Sequence, residues 1–304
     1  MPKPAFPDGH FYSPVVDIDE VLRDQDLIWP PGDPAGPLVH LMKTAPTAPS
    51  VHGIDWNPQS HEDLLRNHFP MLIDGYDYPE TAPVDASSAR FHEDNGQFGR
   101  ADARIAFCLL KKLRPRRIVE VGSGYSTLLM TDVNARFLDG ATSITCVEPY
   151  PRPFMYDMHA AGKIELIQKR AQEIPGELFD SLADGDLLFI DSSHVSKTGS
   201  DVNRLFLDVL PRLAAGVHVH VHDIFFPTDY PKDWVIEHAF SWNEQYLLQA
   251  LLLGSHQFEV TYGGSLARAF HREALVAFHG RMMHGSSFWM RKLPAQAHDG
   301  CSAE

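Results

Sequence analysis

Apolar positions downstream of residue 98 fall into two alternating periods. Over residues 101–113, Ile105, Leu109 and Leu113 recur at i, i+4 and i+8, which predicts an amphipathic helix closed by Pro115. The run 117–121 is short and largely apolar and reads as a buried strand. Similar runs follow at 143–147, 164–168, 186–190 and 217–222, with helical patterns between them at 126–137, 153–161 and 201–213. Strands alternating with helices imply βαβ units, a parallel sheet and right-handed crossovers. One further helix is predicted over 233–253, then two strands at 257–262 and 286–292. The predicted fold is a doubly wound α/β domain over residues 91–304.

Residues 1–90 have a different texture. Pro30, Pro31, Pro34, Pro37, Pro46 and Pro49 fix φ and remove donors, so this part reads as an irregular extension with short helices. The helices are expected at 17–23 and at 59–69, the second with Ser60 as its N-cap. The extension is expected to fold over the site or to carry contacts of a homodimer.

Composition narrows the classes. At 304 residues and 44% hydrophobic, the chain has ample material for a core, which excludes disorder as a global description. A net charge of −14 argues against nucleic acid or an anionic membrane as partner and favours a small-molecule substrate. The longest apolar run, at 247–253, is broken by Gln249 and falls far short of the ~18 residues that span a bilayer. The first residues lack the apolar stretch of a secretory signal. Three distant cysteines, Cys108, Cys146 and Cys301, form no CxxC, which fits a reducing cytoplasm.

Candidate chemistry begins at Glu120-Val-Gly122-Ser123-Gly124-Tyr125-Ser126, directly after a predicted strand and before a helix. Glycines there allow a tight turn and close approach of a ligand to the backbone. Glu148 ends the next strand, 24 residues beyond Gly124, where a carboxylate can accept both ribose hydroxyls of a nucleoside. Glu120, beside the turn, repels a phosphate and suits a cationic ligand. Ser126 is either a ligand contact or the helix N-cap. Further on, Asp191-Ser-Ser-His194 closes the fourth strand, and His218, His220, His222 and Asp223 mark the fifth. Alternation puts the three histidines of the fifth strand on one face. His218 and His220 read as core histidines, whereas His222 and Asp223 stand at the mouth. His194 is the preferred general base and His222 the second choice, with Asp191 orienting either. Residues 240–246 combine aromatic area with amide and carboxylate groups, as a polar, ring-bearing substrate such as a sugar requires; Trp242 and Tyr246 are equally read as core residues of the late helix.

The glycine turn with its following ribose acid resembles motifs I and II of the class I S-adenosylmethionine (SAM)-dependent methyltransferases. Asn95-Gly-Gln-Phe98, Glu148-Pro-Tyr-Pro-Arg-Pro, Phe-Ile-Asp191-Ser-Ser-His194 and His222-Asp223-Ile-Phe-Phe-Pro extend the likeness to the branch related to cephalosporin-hydroxylase-like and sugar O-methyltransferase-like proteins. The resemblance covers roughly residues 90–253. It implies a Rossmann-like, mostly parallel seven-stranded sheet and SAM as cofactor. It places Glu120, Gly122, Ser123, Gly124, Tyr125 and Ser126 at the methionine arm, Glu148 at the ribose and Gln172 at the adenine amino group. Metal-using members carry an Asp after strand four and an acidic pair after strand five, binding magnesium. Asp191 and Asp223 match that pattern, but His222 replaces one acid, which opens the site to iron, zinc, manganese or nickel. His194 and His222 with Asp191 or Asp223 would even compose a facial triad for iron. The expected activity is O- or N-methylation of a small polar acceptor, with or without metal assistance. A metal-dependent oxygenase or other non-methylating enzyme on the same fold, and a catalytically silent SAM-fold subunit, remain as alternatives.

Overall fold

The computed structural model describes residue 8 and residues 13–29, 50–51, 53–82 and 89–295. Its main sheet has seven strands: β1 (Arg117–Val121), β2 (Ser143–Val147), β3 (Glu165–Ile167), β4 (Leu187–Ile190), β5 (His218–Val221), β6 (Phe258–Gly263) and β7 (Phe288–Lys292). They lie in the order β3-β2-β1-β4-β5-β7-β6. The first five are parallel, and β7 runs antiparallel to both β5 and β6. The chain order reverses between β1 and β4, so a crevice opens beyond the carboxyl ends of these two strands.

Alternation along each strand feeds two cores. Ile118, Leu187 and Phe189 pack on one face against α1 (Arg100–Leu113) and α2 (Tyr125–Phe137). Val119, Val121, Leu188, Ile190, Val219 and Val221 pack on the other, under the helical stretch 201–212. His220 lies on the α1 face, fully buried and stacked on Phe189 at 3.8 Å, with Nε2 3.2 Å from the Ser287 hydroxyl. His220 is therefore a core histidine, as expected; His218 is only half-buried.

Three local expectations change. The helix expected over 233–253 is two helices, Lys232–Ile236 and α3 (Glu244–Leu252). The carbonyl of His194 accepts the N–H groups of Asn243 (3.0 Å) and Glu244 (3.2 Å), so a long-range contact, and not a preceding turn, satisfies the start of α3. Asn57, not Ser60, caps the helix Pro58–Asp63, because the Ser60 hydroxyl donates to the Thr261 carbonyl at 2.8 Å. Two helices that the pattern did not reveal, Gly264–Phe270 and Arg272–His279, join β6 to β7.

The N-terminal part is integral to the packing. Leu64, Leu65 and Phe69 enter one core, and Ile54 and Trp56 the other. Among the described residues, no helix is long and apolar enough to cross a membrane.

Candidate active site

A cleft of about 1250 Å³ opens at the carboxyl ends of the parallel strands. One half is built on the glycine turn. Gly122 has φ +78°, and a Cβ there would lie 1.7 Å from the Asp191 carbonyl oxygen, so β1 and β4 approach too closely for any side chain. Across the turn, Glu148 Oε2 accepts the Ser123 N–H (3.1 Å) and Oε1 accepts the Tyr150 N–H (2.7 Å). Each oxygen keeps a second lone pair, and Glu148 lines the cleft, which suits two vicinal hydroxyls. Gly122, Ser123, Gly124, Tyr125 and Ser126 line the same cleft.

Glu120 lies beneath the turn and is fully buried. Its carboxylate accepts the hydroxyls of Ser126 and Thr127, both at 2.6 Å, and Cys146 Sγ lies 3.3 Å away. Burial pushes its pKa up to about 7 against the pull of these donors. Glu120 therefore anchors the first turn of α2 and does not line the cleft, contrary to a direct ligand contact. Ser126 is not the N-cap: that position is Gly124, whose N–H is accepted by Thr127 Oγ1 at 3.1 Å. Gln172 stands outside the cleft lining, and its amide donates to the Gly199 carbonyl at 2.9 Å. Its amide nitrogen thus holds a neighbouring loop, while its buried Oε1 has no partner among the described residues.

The other half holds two imidazoles among four carboxylates. His194 Nδ1 lies 2.7 Å from Glu244 Oε2, and its Nε2 lies 3.4 Å from Asp191 and 3.7 Å from Asp223. His222 Nδ1 is 3.3 Å from Asp223 and 3.7 Å from Asp191, and its Nε2 faces Asp102 at 3.7 Å. Asp102 in turn accepts the N–H groups of Ser287 (2.8 Å) and Ser286 (3.2 Å). His194 and Asp223 both adopt left-handed backbone, with φ of +60° and +57°, a conformation that costs energy in residues other than glycine and clusters at functional sites.

Electrostatics change the roles expected of the histidines. Burial opposes a charged His194, but hydrogen bonds to Asp191 and Glu244 prevail and push its pKa up to about 10. For His222, burial is likewise outweighed by Asp223 and Asp191, which hold it well above the ordinary value. Burial acts to raise the Asp191 pKa, yet His222 and then His194 bring it below the usual carboxylate range. Burial raises Glu244, and His194 only partly offsets it. With no metal bound, both shifts favour the protonated rings, which counts against His194, then His222, as a free general base. The expected metal set is revised too. Ligand atoms of Asp191, His194 and Asp223 lie within 4.8 Å of one another, and His222 is outside that group.

Asp102 is a site residue that sequence reasoning did not assign. Asp102 shares a helix face with Ile105 and Leu109, and a carboxylate on an apolar face is a readable signal. Glu244, the carboxylate of the 240–246 segment read as suiting a substrate, instead meets His194 across 50 residues of chain, a pairing that no local pattern announces.

Residues 119–224 match a family model described as a methyltransferase domain. An uncharacterized protein of Archaeoglobus fulgidus is 33% identical over 181 residues, spanning 58% of this chain and 73% of that protein. This chain belongs to the class I SAM-dependent methyltransferases. The mostly parallel sheet of seven strands is the one that the methyltransferase resemblance implied. Among solved structures, a methyltransferase from Geobacter sulfurreducens aligns at 16% identity over 65% of this chain and 81% of its own, with a TM-score of 0.38. An O-methyltransferase from Bacillus cereus in complex with S-adenosylhomocysteine (SAH) aligns at 14% identity over 66% and 84%, with a TM-score of 0.42.

Proposed function

We propose that this methyltransferase transfers the methyl group of SAM to an oxygen or nitrogen of a small polar acceptor in the cytoplasm. The observation that carries the reading is one continuous cleft. It joins the glycine turn and Glu148 at one end to Asp191, His194, His222 and Asp223 at the other. Glu148 binds the ribose hydroxyls, and the turn from Gly122 to Ser126 supports the methionine arm. Glu120 keeps that turn in place from below.

Methyl transfer from a sulfonium needs an in-line nucleophile whose proton is removed or shared. Asp191 and Asp223 are placed to accept a hydrogen bond from the attacking group and so align its lone pair. His194 and His222 keep Asp191 ionised and belong to the network that disperses the proton. Glu244 fixes the orientation of the His194 ring through Nδ1.

A divalent cation fits the donor set. The site places four carboxylates around two imidazoles, and the ligand atoms of Asp191, His194 and Asp223 converge. These three residues would hold the ion, and the nitrogen donor favours manganese, iron, zinc or nickel over magnesium. Bound there, it would supply a Lewis acid that acidifies the acceptor.

The test is calorimetric titration with SAM. Glu148→Ala is expected to weaken binding by roughly 1.5–3 kcal/mol, the scale of hydrogen bonds to a charged group. Unchanged affinity would remove Glu148 from the ribose site. Absence of SAM binding by the native chain would remove the proposed activity.

A further inference from the structure

The acceptor half of the cleft has a roof made of rings. Phe225, Tyr230, Trp234, Phe240 and Trp242 line it from the segment between β5 and α3, and Trp29 lines it from the N-terminal part of the chain. Their packing is mutual. Trp234 meets Trp242 at 5.2 Å nearly perpendicularly, Phe240 stacks on Trp242 at 4.7 Å, and Phe225 meets Trp234 edge-on at 5.2 Å. Trp242 also lies 4.2 Å from the His194 ring, so the aromatic wall reaches the reacting centre.

Trp29 joins this wall by specific bonds and not by mere proximity. Its indole N–H donates to the Tyr230 carbonyl at 3.0 Å. The Val16 N–H donates to the Ser241 hydroxyl at 3.2 Å, and Lys232 Nζ donates to the Gln25 side chain. Residues 16–29 are thereby tied to the roof at three points. Trp29, Phe225, Trp234, Phe240 and Trp242 all keep exposed area, whereas rings in the two cores are closed off.

Charge sets the second half of the specificity. Asp229 and Asp233 line this end of the cleft, above Asp191 and Asp223. Tyr246 donates to Asp229 at 2.6 Å and fixes its carboxylate, while Asp233 is exposed and makes no ion pair among the described residues. Of the two guanidinium groups in the lining, Arg152 lies over Tyr125 at the cofactor turn, and Arg268 is bonded to His284. Aromatic faces rimmed by carboxylates attract a cation and a planar ring together and repel an anion.

We propose that residues 16–29 complete an acceptor chamber, and that the chamber selects a planar aromatic molecule bearing an ammonium group. The methylated atom is a separate oxygen or nitrogen of that molecule. This inference rests on the cofactor reading above, because the chamber faces the SAM half of the cleft.

The test uses the full chain saturated with SAH and three probes of similar size. These are 2-phenylethylamine, 2-cyclohexylethylamine (the same charge without a π-face) and 3-phenylpropionate (the same ring with the opposite charge). Calorimetric or ligand-observed titration is expected to show 2-phenylethylamine binding at least about fivefold tighter than either of the others. Trp29→Ala and Trp234→Ala are each expected to weaken it severalfold while SAH affinity stays unchanged, which also reports that the variants are folded. Equal binding of the cyclohexyl probe would overturn the aromatic selection, and equal binding of the carboxylate probe the charge selection. Unaltered binding by Trp29→Ala would remove the N-terminal segment from the chamber. If the native chain fails to bind SAH at all, the cofactor reading falls, whatever the probes do.

Discussion

Glu120 shows how one buried carboxylate can serve a ligand site without touching the ligand. Its two oxygens are consumed by Ser126 and Thr127, so what it positions is the first turn of α2. With no solvent at the site, ionisation is costly, and burial raises the pKa from 4.5 to about 7. The native state then holds the proton over a range in which the unfolded chain has lost it. The contribution of Glu120 is therefore most favourable below pH 4.5 and declines as pH rises toward 7. The full difference is roughly 3 kcal/mol by linkage. Glu120→Gln removes this titration. The stability difference between native protein and variant, from urea unfolding at pH 5 and pH 8, is expected to shift toward the variant at the higher pH. A difference that does not change with pH would show that the buried carboxylate is not titrating in this way. The motif itself was legible, because a glycine turn between strand and helix is a local signal. The direction of the Glu120 side chain was not, since it depends on Cys146 and on hydroxyls that the turn gathers only when folded.

At the scale of elements, the five parallel strands were legible to within a residue or so, because their apolar runs are bounded by turns and helices of different period. What failed were elements whose ends are fixed at long range. The late helix breaks in two because the His194 carbonyl captures the start of α3. The N-terminal helix Pro58–Asp63 is attached to the sheet by another long-range device, His61. Its Nε2 accepts the Gly263 N–H at 2.8 Å, while Nδ1 faces the Asn57 carbonyl at 3.0 Å and donates to it. That pairing requires the neutral ring, and protonating Nε2 would set a donor against a donor. Burial lowers the pKa to about 4 despite the Asn57 bond. The unfolded chain takes up this proton first. The stability contributed is thus complete above pH 6.5 and is lost as pH falls toward 4, by roughly 3 kcal/mol in all. The protection factor of the Gly263 amide, corrected for the intrinsic rate at each pH, is expected to fall over that interval, and His61→Gln, which retains both a donor and an acceptor, to flatten the dependence. Protection at Gly263 that is the same at pH 4.5 and pH 7 would count against the bond.

For the whole molecule, the division expected at residue 90 does not coincide with a boundary in the packing. Ile54 and Trp56 sit in the core beneath one face of the sheet, and Leu64, Leu65 and Phe69 in the core beneath the other. All five side chains are at most 5% exposed. At about 1.5–3 kcal/mol for each buried apolar side chain, their removal costs on the order of 10 kcal/mol. That is comparable to the entire 5–15 kcal/mol by which a domain is stable. The earlier helix Ile18–Arg23, in contrast, buries none of its residues and lies over the roof of the acceptor chamber. The two parts of the extension therefore have different functions: residues 54–72 hold the fold, and residues 16–29 enclose the site. A chain begun at residue 90 is expected to lose cooperative urea unfolding and SAM binding together. A chain begun at residue 50 is expected to keep its unfolding midpoint and its SAM affinity while losing acceptor-side binding alone. Cooperative folding of the shorter chain would mean that the sheet and its own helices close both cores without residues 54–72, and that the expected boundary near residue 90 is a true one.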